Sequence, residues 1–316
     1  MRARALGGSG LRVPPLAFGC NIFGWTVDEA TSFRLLDACL DRGLVFLDTA
    51  DVYSRWAPGH VGGESEAIIG RWMADRGCRD RIVLATKVGM DMGDGKVGLK
   101  PAYIEAAVEA SLRRLGTDRI DLYQAHKDDE ATPQEETLAA FGRLVAAGKV
   151  RAIGASNFAA DRLREALDLA RDGTLPRYET LQPEYNLYDR AGYEGDLEAV
   201  AAQHGIGVIP YFALAAGFLT GKYRSESDYG KSPRGARSIP KYMTERGTRI
   251  LSALDPVAAA HQTEPAAVAL AWLMAKPSIT APIASATTEA QIATLAAATE
   301  LTLTPAEIAT LDATGP

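Results

Sequence analysis

The sequence is poor in the residues that build metal centres and covalent cross-links. Its three cysteines, Cys20, Cys39 and Cys78, have neither zinc-ligand spacing nor a pairing pattern, so they read as reduced thiols. The four histidines, His60, His126, His204 and His261, are scattered, and none forms an HExxH pair; a metal site is not expected. Lys and Arg form no run, and the formal net charge is −6. Nucleic-acid binding relies on clustered cations, so nucleic acid is not expected as a partner. No apolar stretch reaches membrane-spanning length, and Met1-Arg2-Ala3-Arg4-Ala5-Leu6-Gly7-Gly8 lacks the apolar core of a signal peptide. A cytoplasmic location without a membrane partner is the expectation.

What the sequence does have is a regular alternation. Of its 316 residues, 47% are hydrophobic, enough for a large core. Residues 4–13 read as a hairpin turning at Gly7-Gly8-Ser9-Gly10. Eight short apolar runs follow, at 16–19, 45–48, 82–87, 120–126, 150–156, 178–183, 207–211 and 280–285. Helical segments separate most of them: 28–42 behind the cap Asp28, 64–74, 101–116 from Pro101, 132–148, 160–171 and 197–204. A further helix is expected over 288–298, and a helix pair near 247–261 and 265–275. Strands separated by helices imply a parallel sheet. Eight such units without a central break in composition favour one α/β domain over 1–316, a closed (β/α)8 TIM barrel with an N-terminal β-hairpin, over a doubly wound sheet. The long polar stretch 212–249 after strand 7 lies where such a barrel builds its ligand site.

Several strand ends carry chemistry. Asp48 closes the second run and Tyr53 follows five residues later; Lys87 closes the third run and His126 the fourth. Singly, each has an ordinary explanation: a loop cap, a rim aromatic, a solvated charge, a satisfied core group. Together they would converge on one mouth of a barrel. A phenol is a weak acid, with a pKa of about 10 in water. A neighbouring ammonium lowers that value, and a carboxylate can hold the ammonium in place. Tyr53 could then protonate a substrate oxygen that His126 orients. A proton donor with no evident nucleophile suits carbonyl reduction with hydride from a cofactor. Trp25 and Trp56, in the loops after the first two strands, are candidate pocket walls or packing residues. Two other patterns carry no weight. Gly93-Asp94-Gly95-Lys96-Val97-Gly98 fits GxGxxG, but it lies well past its strand. Gly217-Phe218-Leu219-Thr220-Gly221-Lys222-Tyr223 is one spacer short of a P-loop.

The chain resembles the aldo-keto reductases. The likeness rests on Asp48-Thr49-Ala50-Asp51-Val52-Tyr53, Ser65-Glu66-Ala67-Ile68-Ile69-Gly70, Ala85-Thr86-Lys87 and Asp121-Leu122-Tyr123-Gln124-Ala125-His126. It continues through residues 148–158, Leu181-Gln182-Pro183-Glu184-Tyr185-Asn186 and Leu219-Thr220-Gly221-Lys222-Tyr223, in the family's order. It implies a (β/α)8 barrel, catalytic Asp48, Tyr53, Lys87 and His126, and reduction of a small-molecule aldehyde or ketone with NADPH. It further implies that Ser156, Asn157 and Gln182 hydrogen-bond the nicotinamide carboxamide and that Tyr211 stacks on its ring. Phe212, Leu214, Gly217, Thr220 and Lys222 match the stretch that crosses the pyrophosphate, although the family often has Ser-Pro where this chain has Phe212-Ala213. At the adenosine end, Ser285, Thr287 and Gln291 match. The usual glycine is Ser285, a frequent Arg or Lys is Thr287, and a frequent Asn is Thr294. Without that cation NAD stays open as an alternative cofactor, unless Lys231, Arg234 or Arg237 supplies the charge. Two other activities stay open: a cofactor-binding regulatory subunit on the same fold, and a Schiff-base aldolase using Lys87. Sugars, sugar derivatives and simple aldehydes all remain as substrates, and the oligomeric state is unknown.

Overall fold

The structure is a computed structural model that describes residues 2–233 and 235–315. Its first element is an antiparallel hairpin, β1 (Arg4–Ala5) and β2 (Arg12–Val13), with Arg4 opposite Val13. Eight parallel strands follow: β3 (Ala17–Gly19), β4 (Phe46–Asp48), β5 (Val83–Val88), β6 (Ile120–Ala125), β7 (Val150–Ser156), β8 (Tyr178–Gln182), β9 (Gly207–Val208) and β10 (Ile283–Ala284). They lie in the order β10-β3-β4-β5-β6-β7-β8-β9. The Thr280 and Ala281 amides donate to Val208 O (2.8 and 3.3 Å), and the Ile283 amide donates to Pro210 O (2.8 Å). These bonds join β9 to β10 and close the expected barrel. The two staves are shorter than the runs 207–211 and 280–285, because Pro210 and Pro282 have no N–H to give a ladder.

The helices form the outer layer. α1 (Glu29–Asp41) starts where Asp28 accepts from the Thr31 amide (2.8 Å), as its cap position demands. α2 (Glu64–Arg76), α3 (Pro101–Leu115), α4 (Gln134–Ala146), α5 (Ala160–Leu169) and α6 (Asp196–Gln203) alternate with the strands. The stretch after β9 contains 3-10 turns and the short α7 (Gly235–Ser238), and then α8 (Glu245–Ala260) and α9 (Pro265–Ala275) precede β10. α9 is apolar all round and buried from Ala266 to Met274. α10 (Glu289–Ala298) follows β10. α11 (Pro305–Asp312) was not anticipated from its few apolar residues; its signal is the reciprocal cap between Thr304 and Glu307. Among the described residues no helix is long and apolar enough to cross a membrane.

There are two cores. The larger one lies between strands and helices. The smaller one fills the barrel with Ala17, Phe46, Ala85, Leu122, Ala152 and Ile283, and the hairpin's Leu6, Leu11 and Val13 complete it from below. The hairpin is therefore the floor of the barrel. Gly7 makes this possible: with φ +56°, a Cβ there would sit 2.1 Å from Glu179 O.

Candidate active site

Strand periodicity sets the site. Two residues beyond the inward-facing Phe46, Ala85 and Leu122 come Asp48, Lys87 and Gln124, so a polar layer sits directly on the apolar one. Lys87 pairs with Gln124 across the β5–β6 ladder, and Ser156 pairs with Gln182 across β7–β8.

Lys87 is the hub and is fully buried. Its ammonium donates to Asp48 Oδ2 (2.6 Å), to Thr49 O (2.8 Å) and to Tyr53 Oη (2.8 Å). The other Asp48 oxygen accepts from Gln182 Nε2 (2.9 Å) and Gln124 Nε2 (3.3 Å). Burial pulls the pKa of Lys87 down, but Asp48 and then Tyr53 outweigh it, and its pKa ends up raised. The phenol corrects the sequence argument. Lys87 does pull Tyr53 down, but burial acts more strongly and Asp48 adds to it, so Tyr53 is pushed up to about 12. The phenol therefore holds its proton at neutral pH, as a donor must. His126 packs edge-on against Tyr53, with centroids 5.9 Å apart, and its Nδ1 is buried without a hydrogen-bond partner. Burial, then Lys87, hold its pKa well below the usual value, so the imidazole is neutral.

The loop that carries Tyr53 is tied down from beneath. Ser65 Oγ, at the start of α2, bonds Thr49 Oγ1 and donates to Cys20 O, both at 2.8 Å. Ser54 takes φ +75° and donates to Phe23 O (2.5 Å).

A cleft of about 980 Å³ opens above this layer, at the upper end of the usual size for a ligand site. Asp48, Tyr53 and His126 line it, and Lys87 lies under it. Ser156, Asn157, Gln182 and Tyr211 also line it, already bonded to one another. Ser156 Oγ donates to Gln182 O (2.9 Å), Asn157 Nδ2 to His126 O (2.9 Å) and Ser156 Oγ (3.1 Å), and Tyr211 Oη to Asn157 Oδ1 (2.8 Å). The side-chain donors are thus committed, while among the described residues Gln182 Oε1 makes no hydrogen bond. This cluster is better suited to accepting from an amide N–H than to donating to its carbonyl.

Phe212, Leu214, Gly217, Thr220 and Lys222 line the same cleft. Here the backbone is unusual: Phe212, Ala215, Ala216 and Gly217 all have positive φ, three of them without being glycine. Such strain clusters where a chain wraps a ligand. Asn186 Nδ2 donates to Phe212 O (3.0 Å) and steadies the turn. At the far wall, Ser285 Oγ donates to Asn21 Oδ1 (2.7 Å), and the Thr287 amide donates to Gln291 Oε1 (2.7 Å). All four line the cleft, but Gln291 has folded back onto its own helix start. Of the alternative cations, Lys231 lines the cleft but pairs with Asp228 (2.7 Å), and Arg237 is exposed elsewhere. Arg234 lies outside the described residues. Lys222 makes no ion pair among the described residues; its ammonium sits 5.1 Å over the Tyr223 ring.

Sequence reasoning missed Gln124 and Asn21. The signal for Gln124 was there: an amide at an inward position of an apolar strand, two residues before His126. Trp56 lines the cleft and is half exposed, and Trp25 packs edge-on against it at 5.6 Å.

Residues 15–315 match the model of the aldo/keto reductase family. The chain is 38% identical over 305 residues to an uncharacterized oxidoreductase, YrpG, of Bacillus subtilis, covering 94% of this chain and 91% of that protein. It is 33% identical over 300 residues to a probable voltage-gated potassium channel subunit beta of rice, covering 92% and 89%. It is 30% identical over 323 residues to an L-glyceraldehyde 3-phosphate reductase of Escherichia coli, covering 99% and 92%.

Proposed function

The chain belongs to the aldo/keto reductase family and is an oxidoreductase, and from that premise we propose that it reduces an aldehyde or ketone to the alcohol with NADPH, Tyr53 being the proton donor. The observation that carries this reading is the buried ammonium of Lys87 bonded at once to Asp48 and to the Tyr53 hydroxyl. When bound, the reduced cofactor supplies hydride to the carbonyl carbon, and the substrate gains the two electrons that the cofactor loses. Tyr53 Oη gives its proton to the carbonyl oxygen as the hydride arrives. The tyrosinate left behind is costly in a buried place, and Lys87 stabilises it by donating to its oxygen, with Asp48 holding Lys87 there. Neutral His126 positions the carbonyl oxygen.

The residues present fit a nicotinamide dinucleotide. One continuous cleft runs from Tyr53 past the strained turn at 212–217 to the start of α10. Ser156, Asn157, Gln182 and Tyr211 would hold the nicotinamide end. Phe212, Leu214, Gly217, Thr220 and Lys222 would hold the pyrophosphate. Ser285, Thr287 and Gln291 would hold the adenosine end, at a helix N-terminus suited to phosphate. Of the lining cations among the described residues, Lys222 would serve the pyrophosphate common to NAD and NADP, and Lys231, paired with Asp228, is left for a 2′-phosphate.

Replacing Tyr53 with Phe should lower carbonyl reduction by roughly 10²–10⁴-fold, the usual worth of a positioned acid, while leaving cofactor binding intact. Undiminished turnover by that variant would exclude the role. A Schiff-base aldolase is disfavoured, because the Lys87 ammonium keeps its proton and spends its donors on three acceptors. The likeness to a channel β-subunit supports one other reading, a cofactor-binding subunit. Steady oxidation of NADPH with simple aldehydes separates it from the first.

A further inference from the structure

We propose that Gln124 is a positioning residue for carbonyl reduction: it does not meet the substrate, but together with Gln182 it fixes the carboxylate of Asp48 and so keeps Lys87 against the hydroxyl of Tyr53. This rests on the reductase reading above and adds a residue to its machinery.

The first observation is where a polar side chain has been placed. Gln124 pairs with Lys87 across the β5–β6 ladder, in the layer that covers the apolar filling of the barrel, and it is fully buried. It does not line the cleft, so it can act only through its neighbours. A buried primary amide costs stability unless its hydrogen bonds are made, and an apolar side chain would fill the position without that demand. Folding alone gives no reason for an amide there.

The second observation is what the amide touches. Its Nε2 donates to Asp48 Oδ1 (3.3 Å), and its Oε1 accepts from Gln182 Nε2 (3.3 Å), which also donates to Asp48 Oδ1 (2.9 Å). The three groups close a triangle. The last torsion of an aspartate is broad, so the side chain itself does not fix its carboxylate. Lys87 holds Oδ2 (2.6 Å), and the two amides hold Oδ1. A carboxylate paired with an ammonium only accepts, so both amides must present Nε2 to it.

The third observation is the passage that makes the triangle possible. Gln124 stands on β6 and Gln182 on β8, with β7 between them. The β7 partner of Gln124 is Gly154. A Cβ at Gly154 would lie 3.0 Å from Gln124 Cγ and 2.1 Å from Thr180 Oγ1. The bare glycine lets the long side chain cross β7 to its partner.

The consequence lies in the transition state. As Tyr53 releases its proton to the carbonyl oxygen, the ammonium of Lys87 comes to stand between two anions, Asp48 and the tyrosinate. It is drawn towards the new one, and the donors of Gln124 and Gln182 take up the share of the Asp48 charge that it leaves. Their bonds strengthen as the reaction proceeds, which favours kcat rather than substrate binding.

The test compares the parent, Gln124→Leu and Gln124→Glu in the reduction of propanal and 4-nitrobenzaldehyde by NADPH from about pH 5 to about pH 9, and reads NADPH affinity separately from quenching of tryptophan fluorescence. Gln124→Leu should lower kcat/KM for either aldehyde about tenfold with KM little altered, the scale of one lost hydrogen bond to a charged group, while NADPH affinity stays within about threefold of the parent's. In Gln124→Glu the new carboxyl can donate to Asp48 only while it carries a proton, and once ionised it repels. That variant should exceed Gln124→Leu by several-fold at the acid end and lose the advantage as the pH rises. Retained NADPH binding and a thermal unfolding midpoint near the parent's check that each variant folds. Where Gln124→Leu does not fold, Gln124→Glu decides alone: its kcat/KM relative to the parent's should fall as the pH rises, and a flat ratio overturns the inference. A Gln124→Leu enzyme as fast as the parent, or a Gln124→Glu enzyme no faster than Gln124→Leu at the acid end, overturns it and leaves the reductase reading standing. A parent that reduces neither aldehyde overturns both.

Discussion

Asp51 shows what a single side chain can hide. It lies between Asp48 and Tyr53 in the sequence, and its motif was readable, but not its ionisation. The side chain is buried, Oδ1 has no hydrogen-bond partner, and its amide donates to Lys87 O (3.3 Å). Burial, with Glu66 adding to it, pushes the carboxyl from an ordinary 3.8 up to about 8. The native state therefore binds a proton that the unfolded chain has released between those two values. The contribution of Asp51 to stability therefore falls as pH rises from about 4 to about 8, and its loss is complete above that range. The effect is on the order of a few kcal/mol. Asp51→Asn should flatten this slope; urea unfolding midpoints between pH 5 and pH 8 would show it, and an unaltered slope would sink the assignment. Charge pairing was the legible part of the site, because Asp48, Lys87 and His126 stand at strand ends. Depth was not legible, and depth reversed the expected direction for Tyr53.

At the scale of elements, the strands and most helices follow from apolar period and caps, since Asp28, Pro101 and Thr288 do locally what their residue types predict. Close approaches between elements do not show in a pattern. Gly70 looks like a weak point of α2, where Ala would ordinarily favour the helix by about 1 kcal/mol. In the fold a Cβ there would stand 2.3 Å from Arg114 O and 2.8 Å from Leu115 C, both backbone atoms of α3. Gly70→Ala should therefore destabilise by about 1–3 kcal/mol, the cost of overpacking. A urea midpoint above the parent's would refute it. The same contact bears on function, because the first turn of α2 carries Ser65, which pins the loop of Tyr53. The turn at 212–217 was equally hidden: nothing in Phe212-Ala213-Leu214-Ala215-Ala216 announces positive φ at three residues with a Cβ.

At the scale of the whole molecule, eight alternating units made the barrel legible, while its seam and its floor had to be seen. β9 and β10 have two residues each, so the wall between them rests on few hydrogen bonds. Arg4 clamps the approach to that seam: its guanidinium donates to Met274 O (2.9 Å), Ile279 O (3.1 Å) and Thr280 O (3.2 Å). Local opening should concentrate there. Arg4→Ala should speed amide deuteration at 279–283 more than at β5 or β6, and uniform acceleration would count against a local clamp. The floor has a different consequence. Leu6, Leu11 and Val13 cork one end, so the vessel has a single doorway. Ser156 and Gln182 lie deep, at 1% and 2% exposure, and Trp56 stands at the threshold. Whatever settles against Ser156 and Gln182 must come and go by that one doorway, past the rim on which Trp56 stands.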